Sequence, residues 1–565
     1  MALSRSLSWL LCLVAVIGSS LVAGHVFTAP NALHLFQPNR VELQPDSDFA
    51  VSVNLTSLQR HGEFCEISVT SAKPNKNDFV ALYLTSDDVT ATTPIKYQFL
   101  NYDPAYLSSG RSKLVFQLLN MRENFVLHAF TGGPDHPTLV ASSTPITNTI
   151  ANVPTQGRLA LTNDEASVRV SWTTGKVEQP QLQYGVSETN YTVVPPTATP
   201  YTRAQMCGAP ANTIGWRDPG ILYTAVMTNL APNTHVVYRY GDAATDTFSP
   251  WRSLRTRPQT GDAFNMIAFG DLGQHVIDHS LQQEDMPASR NTTDGIIGEL
   301  ADKSLLFHNG DISYARGYES QWEEFHDQIE PIATTLPYMT AIGNHERDWP
   351  NTTSAMHGTD SGGECGVAYE TRFLMPTPTL DDVWYSFDFG VMHLVVISTE
   401  HNFSVGSPQY EFVKKDLDQV NRKNTPWLVF AGHRPFYIDS TANSTYDADQ
   451  PVAKAQRDTF EDMLYEHQVD MIWGAHHHSY QRSCPVYRGK CGDTSDGYAG
   501  PVVVNLGMAG AGNSQNLEPN PSKMWQVLDD THHGYMRFAF TSTEVRGEYI
   551  RGDDLQAHDS FSLSK

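Results

Sequence analysis

Cysteine and positive charge are both scarce in this 565-residue chain. It has 6 cysteines and no Cys-x-x-Cys pair, which argues against a metal site built from paired thiolates. Lysine and arginine number 38 against 62 acidic residues, so the formal net charge is −24. Because nucleic acids and anionic membranes attract basic surfaces, this balance argues against both as partners. An anionic substrate must then be attracted by a local charge, which bound cations would supply.

Long apolar runs are missing after the amino terminus, so we expect no later segment to span a bilayer. Residues 1–24 contain Arg5, an apolar stretch at 10–17 and small residues before Gly24, which is the pattern of a secretory signal peptide. A membrane anchor is the alternative, but the run is short and Gly18 interrupts it. The mature chain is therefore predicted to be secreted.

The asparagine and cysteine patterns agree with an exported protein. Cys484 and Cys491 flank a short loop and are predicted to form a disulfide, while Cys207 with Cys365 would be a second pair that leaves Cys65 unpaired. Six glycosylation sequons occur, at Asn54, Asn190, Asn291, Asn351, Asn402 and Asn443.

Alternating apolar and polar residues dominate the first half of the chain. Residues 25–152 and 153–258 both show short strand-like runs separated by turn residues, which predicts two β-sandwich domains, the second of fibronectin type III character. Residues 259–565 alternate strands with helices, of which 408–422 and 456–466 have the clearest apolar faces. This third region is predicted to be a layered α/β domain.

Five short apolar runs in the third region each end at a residue that can bind a metal. Such runs are typical of buried strands, and polar residues that follow them meet at the carboxyl edge of a sheet. The residues are Asp271, Asp311, Asn344, His433 and His476, with Tyr314 and His478 shortly after two of them. These oxygen and nitrogen donors suit zinc, manganese or iron, and they are too many for one ion. We therefore predict two cations about 3.5–4 Å apart.

The same segments resemble, in order, the five motif blocks of the purple acid phosphatases, which belong to the calcineurin-like metallophosphoesterases. The blocks are Asp271-Leu-Gly, Gly310-Asp-Ile-Ser-Tyr314, Gly343-Asn-His-Glu346, residues 429–433 and His476-His-His478. The likeness covers about 154–550, and with the extra amino-terminal β domain it is similar to the large plant-type, nucleotide-pyrophosphatase-like branch. The resemblance implies one ion held by Asp271, Tyr314 and His478, another by Asn344, His433 and His476, and Asp311 bridging both.

Tyr314 bears most directly on the identity of the metals. A phenol has a pKa near 10 and is a poor zinc ligand at acid pH, whereas ferric iron can deprotonate it. By resemblance, Tyr314 implies Fe³⁺ with a violet charge-transfer colour, together with one divalent Zn, Mn or Fe. The resemblance also implies attack on phosphorus by a metal-bound hydroxide, with His345 as the catalytic group beside the leaving oxygen. Asn344, His345 and Glu346 are expected to contact substrate, and Glu346 could instead orient His345.

Two departures from the family pattern affect these assignments. Ala475 stands where a glycine usually precedes the last histidine pair, and His477 adds a third consecutive histidine. A further catalytic histidine that some members carry after His433 has no match in residues 435–446. Protonation of the leaving group is therefore the part of the mechanism that the resemblance supports least.

The sequence as a whole predicts a secreted, glycosylated acid phosphatase that acts on small phosphomonoesters. One alternative keeps the site and changes the substrate to a nucleotide pyrophosphate or phosphodiester. Another is an exported β-sandwich binding protein whose phosphatase domain is inactive. The oligomeric state and the role of residues 25–152 are not predicted.

Overall fold

The computed structural model describes residues 36–377, 379, 382–493 and 497–565. Its first region is a β-sandwich with a five-stranded sheet, ordered β1-β9-β8-β5-β6, over a three-stranded sheet, β2-β4-β7; β3 and β10 pair beside them. Apolar side chains of both sheets share one core. The strands are β1 (Glu42–Leu43), β2 (Phe49–Val53), β3 (Ser57–Leu58), β4 (Glu63–Ser71), β5 (Phe79–Leu84), β6 (Lys96–Phe99), β7 (Arg111–Leu118), β8 (Phe125–Thr131), β9 (Thr138–Ser142) and β10 (Thr147–Asn148).

The second region is also a sandwich, with a sheet ordered β11-β12-β16-β15 against one ordered β14-β13-β17-β18, in which β19 pairs with β17. Trp172 stacks on Tyr223 and Tyr240 at its centre. The strands are β11 (Thr155–Leu161), β12 (Val168–Thr174), β13 (Pro180–Ser187), β14 (Asn190–Val194), β15 (Thr197–Ala198), β16 (Ile221–Met227), β17 (His235–Asp242), β18 (Thr247–Phe248) and β19 (Arg252–Arg255).

Two sheets face each other in the third region and enclose the largest core of the molecule. One is ordered β22-β21-β20-β31-β32-β33, and the other is ordered β23-β24-β25-β26-β29-β27-β28 with β30 beside β27. The strands are β20 (Phe264–Phe269), β21 (Leu305–Asn309), β22 (Tyr338–Ala341), β23 (Tyr385–Phe389), β24 (Met392–Val396), β25 (Trp427–Ala431), β26 (Met471–Gly474), β27 (Tyr480–Tyr487), β28 (Lys490–Cys491), β29 (Val502–Leu506), β30 (Trp525–Asp529), β31 (Gly534–Phe540), β32 (Glu544–Arg551) and β33 (Ala557–Ser564).

Helices cover the outer faces of these two sheets, so the predicted fold class, β-sandwiches followed by a layered αββα domain, is confirmed. The helix predicted at 408–422 ends earlier, at Gln419, and the one predicted at 456–466 begins seven residues earlier, at Asp449. The described helices are α1 (Tyr106–Ser109), α2 (Pro287–Ile297), α3 (Glu319–Ala333), α4 (Asn344–Arg347), α5 (Val367–Arg372), α6 (Pro408–Gln419) and α7 (Asp449–Glu466).

Helix α3 contacts all three regions of the chain through a row of acidic side chains. Twelve of its fifteen residues are buried. Three of its acidic residues pair with basic residues of the first sandwich, one with the second sandwich and one with α5. The pairs are Glu323–Arg122, Glu324–Lys96, Asp327–His61, Glu330–Arg252 and Glu319–Arg372. Because buried charges are costly unless they are paired, these contacts fix the relative positions of the regions.

Both predicted disulfides are present. Cys484 and Cys491 close the hairpin of β27 and β28, and Cys207 joins Cys365 across 158 positions of sequence. Cys65 is unpaired and buried in the first sandwich, as expected. The Cys207–Cys365 bond joins the loop before β16 to the loop that precedes α5.

His393 on β24 gives the stability of the fold an expected pH dependence. Burial by itself lowers the pKa of His393, but hydrogen bonds with Asp388 and Asp416, at 2.6 and 2.9 Å, raise it to about 9. The stabilisation from protonated His393 is thus complete below its unfolded pKa of about 6.5 and is lost as the pH rises through about 9. We expect this residue to contribute a fall of about 3 kcal/mol in unfolding free energy across that window.

Chemical denaturation of the wild type and His393→Gln at several pH values measures this contribution. The glutamine variant is expected to be less stable at pH 6, and the difference between the two proteins should shrink towards pH 9.5. A constant difference at all pH values would contradict the assignment.

Candidate metal centre

The strand ends of both facing sheets meet at one edge of the third region. Asp271 and Asp311 follow β20 and β21, Asn344 follows β22 at the start of α4, and His433 and His476 follow β25 and β26. The parallel pairing of β20-β21-β22 and of β25-β26 brings these ends side by side. The structure therefore brings together all seven residues that the sequence singled out.

Four of the seven candidate ligands lie in the left-handed region of backbone space. Their φ angles are 60° at Asp271, 50° at Asp311, 51° at Tyr314 and 65° at His476. Non-glycine residues rarely adopt this conformation, and such strain concentrates at functional sites. At Asp271, Asp311 and His476 it turns the chain just after a strand, and Tyr314 lies in the loop that follows Asp311.

Asp271, Tyr314 and His478 form the first group. The Tyr314 hydroxyl lies 3.1 Å from Asp271 Oδ1 and 2.9 Å from His478 Nε2, and His478 Nε2 lies 3.4 Å from Asp271 Oδ1. His478 Nδ1 donates to the Gly512 carbonyl oxygen at 2.6 Å, which leaves Nε2 directed at the other two residues. Hydrogen bonds of this kind hold metal-binding imidazoles in orientation.

Asn344, His433 and His476 form the second group. The Asn344 Oδ1 atom lies 3.1 Å from His433 Nε2 and 2.8 Å from His476 Nδ1. His433 Nδ1 donates to the Asn309 carbonyl oxygen at 2.9 Å, so its Nε2 faces the site. The amide nitrogen of Asn344 donates to Asp360 Oδ2 at 3.0 Å, which turns the amide oxygen towards the two histidines.

Asp311 lies between the two groups. Its Oδ1 atom is 3.2 Å from His433 Nε2 and accepts the His345 backbone N–H at 3.0 Å. The ligand atoms of Asp311, His433 and His476 lie within 4.8 Å of one another, and so do those of Asp271, Asp311 and His478. Asp311 belongs to both triads, so its carboxylate lies where a group that bridges two cations would have to lie.

The donor set fits two cations without a thiolate. Asp271 and Asp311 are buried carboxylates, and buried carboxylates need strong positive partners. Burial, reinforced by the charges of Asp271 and Asp311, raises the pKa of Tyr314 well above its ordinary value. The phenol therefore stays protonated unless a cation binds it.

Glu346 lies behind the centre, not on its open side. Its carboxylate accepts the backbone N–H groups of Asp311, Ile312 and Gly343 at 3.1, 2.8 and 3.0 Å. Burial, reinforced by the charge of Asp311, raises its pKa to about 8 despite these hydrogen bonds. With 1% of its surface exposed, Glu346 cannot reach a substrate. The structure thus gives Glu346 a role that differs from both expectations, substrate contact and orientation of His345, because its carboxylate holds the backbone of the two ligand-bearing loops.

His345 is on the open side of the centre. Its Nε2 faces Asp311 Oδ2 at 3.8 Å, and its ring packs against Tyr314 with centroids 4.4 Å apart. Its Nδ1 lies 3.2 Å from Arg316 Nε and 3.2 Å from the Asp360 carbonyl oxygen. The Nε2 atom of His345 thus faces the candidate metal ligands, while Nδ1 contacts Arg316 and the Asp360 carbonyl oxygen.

Two residues next to the candidate ligands in sequence, His477 and Arg434, are buried. His477 turns away and contacts Ser479 and Asn516 at 2.7 and 2.6 Å. Arg434 is buried and pairs with Glu400 and Asp348 at 2.9 and 3.1 Å. The middle histidine of the run thus faces away from the other candidate ligands, whereas His476 and His478 contact them.

Asp360 and Arg316 are functional candidates that sequence reasoning missed. Both lie in loops without periodic pattern, at residues 315–317 and 360–363. The available signal was the glycine that follows each of them closely, at 317 and at 362, because these glycines have φ angles of 86° and 59°. Glycines of this kind mark sharp turns near a site but do not say what the turns hold.

Of the features expected of an exported protein, the structure describes the glycosylation sequons but not the signal peptide. The six sequon asparagines are all exposed, which leaves them accessible to glycosylation. The predicted signal peptide, residues 1–24, lies outside the described residues. Within the described part of the chain, no helix has the length and hydropathy needed to cross a membrane.

Comparison with family models divides the chain into four matched segments. Residues 50–150 match the Fn3-like domain from purple acid phosphatase, and 154–256 match the purple acid phosphatase N-terminal domain. Residues 264–480 match the calcineurin-like phosphoesterase model, and 500–560 match the iron/zinc purple acid phosphatase-like protein C model.

Individual proteins are similar over most of the chain. A protein of Arabidopsis thaliana named "probable inactive purple acid phosphatase 1" is 35% identical over 90% of this chain and 88% of its own. A nucleotide pyrophosphatase/phosphodiesterase of Hordeum vulgare is 34% identical over 57% of this chain and 90% of its own. The solved structure of a purple acid phosphatase from yellow lupin (Lupinus luteus) seeds superimposes with a TM-score of 0.86, at 32% identity, covering 92% of this chain and 96% of that one.

Proposed function

Because this chain belongs to the purple acid phosphatases, whose members use a binuclear metal centre, we propose that it is a secreted acid phosphatase that hydrolyses small phosphomonoesters. The observation that carries the proposal is the convergence of seven oxygen and nitrogen donors: two triads that share Asp311 supply five, and Tyr314 and Asn344 contact one triad each. In this proposal Asp271, Tyr314 and His478 hold Fe³⁺, while Asn344, His433 and His476 hold Zn, Mn or Fe in the divalent state. Two such cations neutralise phosphate charge and acidify a water molecule.

The surrounding residues have distinct tasks in the proposed reaction. His345 directs Nε2 at the centre and would donate a hydrogen bond to the departing ester oxygen. Asp360 turns the Asn344 amide so that its oxygen, not its nitrogen, faces the second group. Glu346 holds the Asp311 and Asn344 loops together through three backbone N–H groups. Geometry of this kind lowers the barrier because the groups need not be rearranged during the reaction.

Tyr314→Phe tests the iron assignment. We expect purified wild type to be violet and to contain about one iron per chain, because phenolate-to-Fe³⁺ charge transfer requires a deprotonated tyrosine ligand. The variant should lose the visible band, and Tyr437→Phe should keep it, since that hydroxyl contacts Glu461 away from the donors. A band that survives unchanged in Tyr314→Phe would overturn the ligand role of Tyr314.

Two alternatives to the phosphomonoesterase proposal, a different substrate class and an inactive protein, can each be tested by one measurement. The name of the barley relative favours nucleotide pyrophosphatase or phosphodiesterase activity at the same site. Rates on p-nitrophenyl phosphate and its bis ester separate the two substrate classes. The name of the Arabidopsis relative favours an inactive binding protein, which metal analysis of purified protein would reveal as a chain without bound cations.

We also propose the division and export of the chain. Residues 1–24 act as a cleaved signal peptide, 25–152 and 153–258 form the two sandwich domains, and 259–565 form the catalytic domain. The family-model segments and the three groups of sheets support these boundaries. The exposed sequons and the two disulfides support secretion and glycosylation.

A further inference from the structure

An arginine stands on the open side of the candidate centre, next to His345. Arg316 donates from Nε to His345 Nδ1 at 3.2 Å and from Nη1 to Glu284 Oε1 at 2.7 Å. Two-fifths of its side chain is exposed. The nearby Arg434 and Arg347 are buried, with only 4% and 6% of their side chains exposed. Arg316 thus offers a solvent-accessible guanidinium beside the candidate metal ligands.

The backbone that carries Arg316 is held rigidly. Its φ angle is 49°, and its carbonyl oxygen lies so close to Gly362 that a Cβ at that glycine would be 1.9 Å away. The 360–363 loop is held in turn by hydrogen bonds from Cys207 N to Gly363 O and from Ala211 N to Gly362 O, and by the Cys207–Cys365 disulfide. A guanidinium on such a support is already oriented before a ligand arrives, so little ordering entropy is lost on binding.

The position of Arg316 relative to His345 indicates what it would bind. His345 places Nε2 towards the candidate metal ligands and Nδ1 towards Arg316. A phosphoryl group at the centre would therefore have Arg316 on its leaving-group side, about one imidazole ring further out. Planar guanidinium groups are well suited to phosphate oxygens, which they bind through parallel N–H donors.

We propose that Arg316, positioned by Glu284, binds the second phosphate of a phosphoanhydride, so that the proposed phosphatase also accepts pyrophosphate-type substrates beside phosphomonoesters. The inference rests on the proposed hydrolase function and assigns its leaving-group subsite. Glu284 is a positioning residue, because its carboxylate accepts a hydrogen bond from Nη1 of a guanidinium whose side chain is two-fifths exposed.

The test compares wild type, Arg316→Ala and a control, Arg488→Ala, in the full-length, metal-loaded chain. Arg488 is an exposed arginine that pairs with Asp462 at 3.0 Å on the β27–β28 hairpin. The ratio of kcat/KM for inorganic pyrophosphate to that for p-nitrophenyl phosphate should fall at least tenfold in Arg316→Ala and stay at the wild-type value in Arg488→Ala. Calorimetry should show weaker binding of methylenediphosphonate, again about tenfold, with a smaller change for orthophosphate.

Other outcomes would refute either the Arg316 phosphate subsite or the proposed hydrolase function. An equal loss on both substrates and both ligands would make Arg316 a positioning residue for His345 and refute the subsite. If the wild type hydrolyses neither substrate, the hydrolase proposal fails, and the calorimetric comparison still decides the role of Arg316. Equal methylenediphosphonate affinity in wild type and Arg316→Ala would reject the subsite in that case too.

Discussion

Replacing Asp311 with asparagine is expected to lower kcat/KM for p-nitrophenyl phosphate by about 1000-fold or more and to reduce the metal content of the purified protein. Asparagine keeps the size of the side chain but removes the negative charge that both candidate metal groups share. Asp311 is also buried between His433 and His345, so no other carboxylate can take its position without moving the strand ends. We therefore expect a larger loss than for any ligand that belongs to one group alone.

Activity and metal content should be measured together on the same preparations. Asp458→Asn is a suitable control, because Asp458 lies on the exposed face of α7 and pairs with Lys454 one turn away. It should retain wild-type activity and metal. An Asp311→Asn variant that keeps two metals per chain and most of its activity would contradict the bridging role.

Lys96→Met is expected to cost about 3–5 kcal/mol of stability in the contact between the first sandwich and the third region. The Lys96 ammonium lies 2.8 Å from Asp278 and 3.3 Å from Glu324, and all three side chains are buried. Methionine fills a similar volume but leaves two carboxylates facing each other without a cation. The first unfolding transition should therefore move to lower denaturant concentration.

A second lysine of the same sandwich provides the control for this prediction. Lys73 pairs with Asp48 at 3.5 Å on the surface, and exposed pairs of this kind contribute little. Lys73→Met should shift the transition by less than about 1 kcal/mol. Limited proteolysis should show that Lys96→Met, and not Lys73→Met, releases the first sandwich as a protease-sensitive unit. Equal sensitivity of the two variants would argue against the buried pair as the main contact.

The candidate ligands could be predicted from sequence because their placement is local. Asp271, Asp311 and His433 each follow a short apolar run directly, and a strand end of this kind needs no knowledge of distant contacts. The pairing of Cys207 with Cys365 has no local signal in the sequence, since 158 positions separate them and the fold brings them together.

Helix α3 shows why the remaining structure could not be read in advance. Sequence patterns reveal a helix when one face is apolar and the opposite face is polar. In α3 the polar face is buried as well, because Glu319, Glu323 and Glu324 meet basic side chains from other regions. The one-sided contrast that marks a surface helix is therefore missing. Asp360 and Arg316 escaped prediction for a related reason, since their roles depend on two loops that cross only in the folded chain.

The bond between Cys207 and Cys365 determines which fragments of this protein are worth producing. Cys207 belongs to the second sandwich, whereas Cys365 closes the loop that carries Asp360 next to Asn344 and His345. A fragment trimmed to residues 259–565 would leave Cys365 without its partner and the Asp360 loop without its anchor. The smallest unit worth producing in isolation therefore begins no later than the second sandwich, and its maturation requires an oxidising host.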